Sequence, residues 1–141
     1  MLAADGTRIR SWQAGPSSVA VDADGNVYIT ENESDGKWSR VRVLAAAGNE
    51  LARWAATAEP GSGPEEYRGI AVDRANRVYV VNWPKCRVEV FSSRGAPLGR
   101  FGSCGSGDRQ FGLMVAIAVS ASGKVYISDS TYNRVQIFQV Q

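Results

Sequence analysis

Short stretches of this chain alternate between apolar and polar residues, which is the period-two pattern of a half-buried β-strand. The clearest stretch occurs three times, at residues 40–44 (RVRVL), 87–91 (RVEVF) and 134–138 (RVQIF). Val, Ile and aromatic residues are enriched in strands. No segment has a convincing helical periodicity, so the pattern predicts an all-β protein.

Each of these strands belongs to a longer repeat. Two further strands precede each of these stretches at constant spacing: an apolar first strand, and a second strand that ends in a hydroxyl or apolar residue. Gly-containing turns separate the strands. A fourth strand follows twice, at 50–54 and 97–101, and its third copy stands at the front of the chain, at 8–12. The first strands are 18–22, 69–73 and 116–120, and the second strands are 26–30, 77–81 and 124–128. Repeats of four short antiparallel strands predict propeller blades.

The repeat resembles the NHL repeat. The resemblance rests on residues 16–30 (PSSVAVDADGNVYIT), on 117–138, and on the linker 101–111 (FGSCGSGDRQF) that precedes the last blade. Ser120 replaces the usual Asp, and Tyr67 and Met114 stand where Pro is common. The resemblance implies a propeller that usually has six blades.

Three blades do not close a ring, because propellers have about four to eight. We expect one domain, 1–141, with blades at about 16–54, 67–101 and 114–139. In a two-fold homodimer, strand 7–12 of each chain would complete the last blade of the other, giving a six-bladed ring by strand exchange. Alternatively, the chain is the truncated half of a larger propeller protein.

Composition removes several function classes. The 141 residues are 44% hydrophobic and 21% charged and include no histidine, which excludes His-dependent triads and His-ligated zinc. No apolar run approaches a membrane span and the N-terminus is polar by residue 5, so neither membrane association nor a signal peptide is expected. The compartment is not predicted.

The loops at one end of the blades, here called the top face, carry eight acidic and three basic side chains. These loops are 31–39, 55–68 (Arg68 not counted), 82–85, 102–115 and 129–133. Nucleic acid is not expected there, because phosphates need cations. The charge favours a protein, peptide or small-molecule ligand with basic character, or it reflects only solvated loops.

The second strands end in oxygen-bearing residues that Ca²⁺ could bind: Glu31, Asn32, Asn82 and Asp129. This set resembles the calcium site of six-bladed hydrolases related to gluconolactonases and paraoxonases. A calcium-dependent hydrolase or lactonase is therefore the alternative to a non-catalytic binding scaffold, for which no cofactor is expected. As in a usual NHL turn, Asp129 could instead cap its loop or pair with Arg134.

Aromatic residues give a second set of ligand-binding candidates. Trp38, Trp83 and Tyr132 lie in three equivalent top loops, and exposed Trp and Tyr are typical binding hot spots. Trp54, like the N-terminal Trp12, ends a fourth strand and is expected to pack between blades. Tyr28, Tyr79 and Tyr126 recur at one repeat position and are expected in the core with their hydroxyls hydrogen-bonded.

The chain has two cysteines, Cys86 and Cys104. Antiparallel pairing about a turn at Arg94-Gly95 places them opposite each other, so a disulfide is geometrically plausible. Free thiols are the alternative, and a reducing compartment favours them.

Overall fold

The computed structural model describes residues 6–7, 11, 16–34, 38–56, 61 and 63–140. Its sheets follow one another along the chain. Sheet 1 has the order β1 (Pro16–Val21), β2 (Val27–Asn32), β3 (Ser39–Leu44), β4 (Glu50–Ala55). Sheet 2 has the order β5 (Tyr67–Val72), β6 (Val78–Asn82), β7 (Arg87–Phe91), β8 (Pro97–Phe101). Sheet 3 has the order β11 (Met114–Val119), β12 (Lys124–Asp129), β13 (Arg134–Gln139).

All neighbouring strands in these three sheets are antiparallel. A short parallel pair, β9 (Ser103–Cys104) and β10 (Gln110–Phe111), lies in the linker between sheets 2 and 3, and a 3₁₀ turn spans Trp83–Lys85. The all-β prediction is confirmed. Of the predicted strand 7–12, residues 8–10 and 12 lie outside the described part of the chain.

Acidic residues fix the hairpins that begin sheets 1 and 2. The Asp22 carboxylate accepts hydrogen bonds from the backbone N–H of Asp24 and Asn26, at 2.9 and 3.0 Å, and from the Tyr28 hydroxyl at 3.1 Å. Asp73 and Tyr79 repeat the arrangement in sheet 2, with 2.9 Å between hydroxyl and carboxylate. Such side-chain-to-backbone bonds select a tight turn. The register of each first hairpin is thereby set locally.

Two apolar cores lie between the sheets. One core joins sheets 1 and 2 and includes Tyr28, Val41, Val43, Ile70 and Phe91. The other joins sheets 2 and 3 and includes Tyr79, Val88, Val90, Phe111 and Val125. The first strands β1, β5 and β11 lie side by side. Sheets stacked face to face around a row of inner strands are the arrangement that the repeat predicts.

The rear face of sheet 3 is the face turned away from sheet 2. Its apolar side chains are exposed, whereas the equivalent side chains of sheets 1 and 2 are buried. The registers make Val41, Val88 and Val135 equivalent. Val41 and Val88 are 0% exposed, whereas Val135 is 60% exposed. Ile137, the equivalent of buried Val43 and Val90, is 57% exposed. Tyr126 lies on this same uncovered face and is only half-buried in the single chain, unlike its equivalents Tyr28 and Tyr79.

The front face of sheet 1, turned away from sheet 2, is exposed in the same way. Val19 is 60% exposed, whereas its equivalent Ile70 in sheet 2 is 4% exposed. Val21 is also exposed. Both side chains belong to the apolar second half of β1, residues 19–21, and such a run is typical of a strand covered on both faces. The two ends of the row of sheets are therefore apolar surfaces that no other described sheet covers.

Cys86 and Cys104 form a disulfide. Cys86 ends the 3₁₀ turn in a left-handed conformation, one residue before β7, and Cys104 lies in β9. The bond therefore ties the top of sheet 2 to the linker that leads into sheet 3. Within the described ranges, no helix has the length and apolar character that crossing a bilayer requires.

Candidate functional site

The top face is where β2, β6 and β12 end and β3, β7 and β13 begin. Glu31, Asn82 and Asp129 hold the same place in the three sheets, because each pairs in the strand register with an arginine at or next to the start of the third strand. All three side chains are buried. Their contacts differ from sheet to sheet, so the repeat places them alike but does not give them one role.

Glu31 is held by two arginines. Arg40 Nε donates to one carboxylate oxygen at 2.6 Å, and Arg42 Nη1 donates to the other at 3.0 Å. Burial raises the pKa of Glu31, but the hydrogen bonds from Arg40 and Arg42 outweigh it and hold the pKa below its ordinary value. Glu31 is therefore an ionised partner of guanidinium groups, and a divalent cation at its oxygens would lie beside two positive charges.

Asn82 belongs to a buried polar cluster in sheet 2. Its amide Nδ2 donates to the carboxylates of Glu65 and, at 3.1 Å, of Glu89. The Tyr67 hydroxyl donates to Glu89 at 2.7 Å, and Arg87 donates to Glu89 from Nε and Nη2 at 3.0 and 2.8 Å. By its position in the sequence Glu65 is only a loop charge, so the cluster was not predicted. The sequence does carry one sign of Glu89's role: it alternates along β7 with the apolar Val88 and Val90, so its side chain lies on the opposite face of the strand.

Asp129 caps its own loop. Its carboxylate accepts hydrogen bonds from the backbone N–H of Gly112 at 2.8 Å and of Thr131 at 3.1 Å. Arg134 does not pair with Asp129 and instead donates to the carbonyls of Ser106, Gly107 and Gln110 at 2.7–2.9 Å. Asp129 thus orders the turn that leads into β13.

These contacts do not fit a calcium site. Asn32, the fourth candidate ligand, bridges to the neighbouring sheet: its Nδ2 donates to the Tyr67 carbonyl at 2.6 Å and its Oδ1 accepts from the Tyr67 N–H at 3.1 Å. Among the described residues, no group of three or more Cys, Asp or Glu side chains is arranged to hold a metal ion. The side-chain oxygens of Glu31, Asn32 and Asp129 already accept hydrogen bonds from arginine or backbone donors. Asn82 Oδ1 is buried and has no hydrogen-bond partner among the described residues, but it is a single oxygen.

Each aromatic candidate of the top face carries an arginine on its ring. Arg40 lies over Trp38 at 4.6 Å and Arg68 over Trp83 at 4.5 Å from the ring centroid. Arg134 lies over Tyr132 at 5.6 Å, a weaker approach. Both tryptophans are half-buried, and Tyr132 is exposed. Cation–π contacts of this kind hold the rings in place and leave the opposite face or edge for a ligand.

The same arginines change the charge expected at the top face. Arg40 and Arg42 neutralise Glu31, and Arg68 Nε pairs with Glu66 at 2.9 Å. Because the Cα positions of these arginines lie in strands, the sequence alone does not place their charges at the top face. Their long side chains reach the acids, so the expectation of a strongly acidic top face is wrong for this part of it.

Comparison with known proteins identifies the fold and no family. No protein-family model matches the chain, and no curated protein matches it in sequence. Solved structures do match, and three of them serve as examples. Hydrazine synthase from Kuenenia stuttgartiensis has a TM-score of 0.66 at 19% identity, covering 96% of this chain and 35% of that one. A gluconolactonase from Xanthomonas campestris has a TM-score of 0.60 at 19% identity, covering 88% and 43%.

Virginiamycin B lyase from Staphylococcus aureus has a TM-score of 0.58 at 15% identity, covering 89% of this chain and 41% of that one. The chain thus spans less than half the length of each of these three structures. Identities this low bear on the fold alone. Together with the four-stranded antiparallel sheets stacked through apolar cores, they show that this chain has a β-propeller-type fold.

Proposed function

We propose that this chain is a self-assembling, non-catalytic binding scaffold: three NHL-type blades that a second copy closes into a six-bladed ring. The observation that carries the proposal is the exposure of Val135 and Ile137 at positions whose equivalents are fully covered in the two preceding sheets. Apolar surface of this kind gains about 25 cal/mol for each Å² that a partner covers.

A second copy supplies the matching surface. Inside the chain, the rear face of sheet 1 packs on the front face of sheet 2, and Val43 and Ile70 lie in the same core. Ile137 and Val19 are the equivalents of that pair on the two uncovered faces. The rear face of one copy therefore fits the front face of the other, and two such contacts close a two-fold ring.

The edge of sheet 3 supports the same arrangement. Sheet 3 has three strands among the described residues, whereas sheets 1 and 2 have four. Residues 7–12 match the fourth strands β4 and β8 in sequence. In the proposed ring, this segment of each copy adds to β13 of the other, which removes an open strand edge. Deleting residues 1–12 should then lower the stability of the dimer.

The solution mass tests ring closure. Light scattering on a sizing column should give about 30 kDa, twice the chain mass of 15.2 kDa. Ile137→Asp should reduce the mass to that of one chain, because it places a charge in the contact. Leu98→Asp is the matched control: Leu98 is equally exposed at 56% but lies on the outer strand of sheet 2, so the dimer should persist.

Mixing two variants tests which faces meet. Ile137→Asp and Val19→Lys chains should each be monomeric, and their mixture should recover about 30 kDa, because one contact is then native and the other joins Asp to Lys. A wild-type protein that is a stable monomer overturns the proposal. So does a dimer that withstands both substitutions.

The top face is the proposed binding surface of this scaffold. Trp83 and Tyr132 are supported by stacked arginines, and a ring of two copies presents each of them twice. Such pre-ordered aromatic residues lower the entropic cost of binding a protein, peptide or small molecule. A peptide-array overlay compares wild type with Trp83→Ala. If the bound peptides are the same for both proteins, the top-face assignment is wrong.

A further inference from the structure

A pocket of about 420 Å³ lies on the front face of sheet 2, toward sheet 1. It is lined by Tyr67, Arg87, Glu89 and Phe91 and by the four residues 97–100 of β8. One end is polar, where Tyr67 and Arg87 both donate to Glu89. The other end is apolar, formed by Phe91, Pro97 and Leu98. None of these residues belongs to the top-face aromatic set.

The equivalent space in sheet 3 is filled by the chain itself. The registers make Arg87 equivalent to Arg134, Glu89 to Gln136 and Phe91 to Phe138. In sheet 3, Arg134 and Gln136 donate to the Gln110 carbonyl at 2.7 and 2.8 Å. Phe111 is 0% exposed, and its ring centroid lies 5.8 Å from that of Phe138. A peptide segment with an aromatic residue thus occupies this position.

The linker that leads into sheet 2 has no aromatic residue to fill the pocket as Phe111 fills the equivalent space in sheet 3. The linkers 55–66 and 102–113 have equal lengths, so Phe111 corresponds to Pro64. Pro64 is exposed. A small, exposed residue at the position of a buried phenylalanine explains why sheet 2 has a pocket where sheet 3 has a packed ring.

We infer that this pocket binds a peptide segment that carries an aromatic side chain next to free backbone carbonyls. The ring would occupy the apolar end against Phe91, Pro97 and Leu98, as Phe111 packs on Phe138. The carbonyls would face the Arg87 guanidinium, as those of the 106–110 segment face Arg134. This inference is independent of ring closure by a second copy.

The chain's own linker supplies the probe. A capped synthetic peptide GSGDRQFG, the sequence of residues 105–112, is titrated into ¹⁵N-labelled protein. The amide signals of Leu98, Gly99 and Arg100 should shift saturably. Replacing the peptide's Phe by Ala should weaken binding at least tenfold, because the buried ring is the anchor.

Pro64→Phe tests the site from the protein side. The new ring copies Phe111, so it should fill the pocket, raise Tm and weaken peptide binding at least tenfold. Ala121→Phe, in an exposed turn of sheet 3, is the matched control and should change neither Tm nor peptide binding. Absence of saturable binding overturns the inference, whatever happens to Tm. Equal affinities for the Phe and Ala peptides also overturn it, and so do amide signal shifts that are confined to other sheets.

Discussion

The Asp73 turn makes a quantitative prediction for the variant Asp73→Asn. Asp73 is buried, and its Oδ1 accepts hydrogen bonds from the backbone N–H of Ala75 and Arg77, both at 2.9 Å. Its Oδ2 accepts from Arg77 Nε at 2.7 Å and from the Tyr79 hydroxyl at 2.9 Å. An asparagine can keep the Oδ1 bonds, but its amide nitrogen cannot accept the other two.

The expected loss at pH 7 is about 2–4 kcal/mol. Each hydrogen bond to a charged group contributes roughly 1.5–3 kcal/mol. Tyr79 is fully buried and its hydroxyl would be left without an acceptor, whereas Arg77 is partly exposed and regains water, which reduces its share. The sum of one full and one discounted bond gives the stated range.

The stability lost in Asp73→Asn should be larger at neutral pH than at acidic pH. Burial raises the pKa of Asp73, but the hydrogen bonds from the Arg77 backbone, the Arg77 side chain and Tyr79 outweigh it, so the pKa is lowered. The carboxylate's contribution is therefore complete above the unfolded-state pKa of about 4 and is lost as pH falls through the lower folded-state value. The difference in the free energy of unfolding between wild type and Asp73→Asn should therefore become smaller at acidic pH.

Urea unfolding followed by circular dichroism at pH 7 and pH 3 measures this gap. Asp24→Asn, an exposed acid in the equivalent turn of sheet 1, is the control and should stay within about 0.5 kcal/mol of wild type. A gap below 0.5 kcal/mol at pH 7, or an equal gap at both pH values, would refute the role assigned to the carboxylate.

Three further outcomes are expected. Reducing the Cys86–Cys104 disulfide, which closes a separation of 18 residues, should cost roughly 3 kcal/mol and lower Tm by several degrees in a thermal melt; an unchanged Tm contradicts this. Gly112→Ala should cost about 1–3 kcal/mol in urea unfolding, because a Cβ there overlaps Thr131, whereas Gly99→Ala, with open space around it, should be close to neutral. Millimolar calcium and EDTA should give the same Tm, because the side-chain oxygens of Glu31, Asn32 and Asp129 already accept hydrogen bonds; a calcium-dependent rise would restore the metal hypothesis.

Strand order was readable from the sequence because it depends on local chemistry. The alternation in β3, β7 and β13 and the Asp-containing turns determine where strands begin and which way hairpins close. The equivalence of Glu31, Asn82 and Asp129 follows from the same register. A period-two pattern and a repeat length are enough for this, since each hairpin forms between neighbouring segments.

The roles of those three residues were not readable. Glu31 pairs with Arg42, two residues beyond its register partner, and Asn82 reaches Glu65 from a separate linker. These contacts depend on how long side chains cross from one element to another. Backbone positions alone place Arg40 and Arg68 away from the top-face acids, so a charge count from the sequence overestimates the negative charge of that face.

By itself, then, the sequence determined three repeats of short antiparallel strands, the apolar face of each, and a cysteine pair within reach of a bridge. Only the tertiary structure decided which apolar faces are covered and which are not. The physical reason is that Val41, Val88 and Val135 carry the same local signal, and their exposure differs because no sheet follows sheet 3 in the part of the chain that the structure describes. The pocket of sheet 2 arises in the same way, from Pro64 at the position where sheet 3 has buried Phe111.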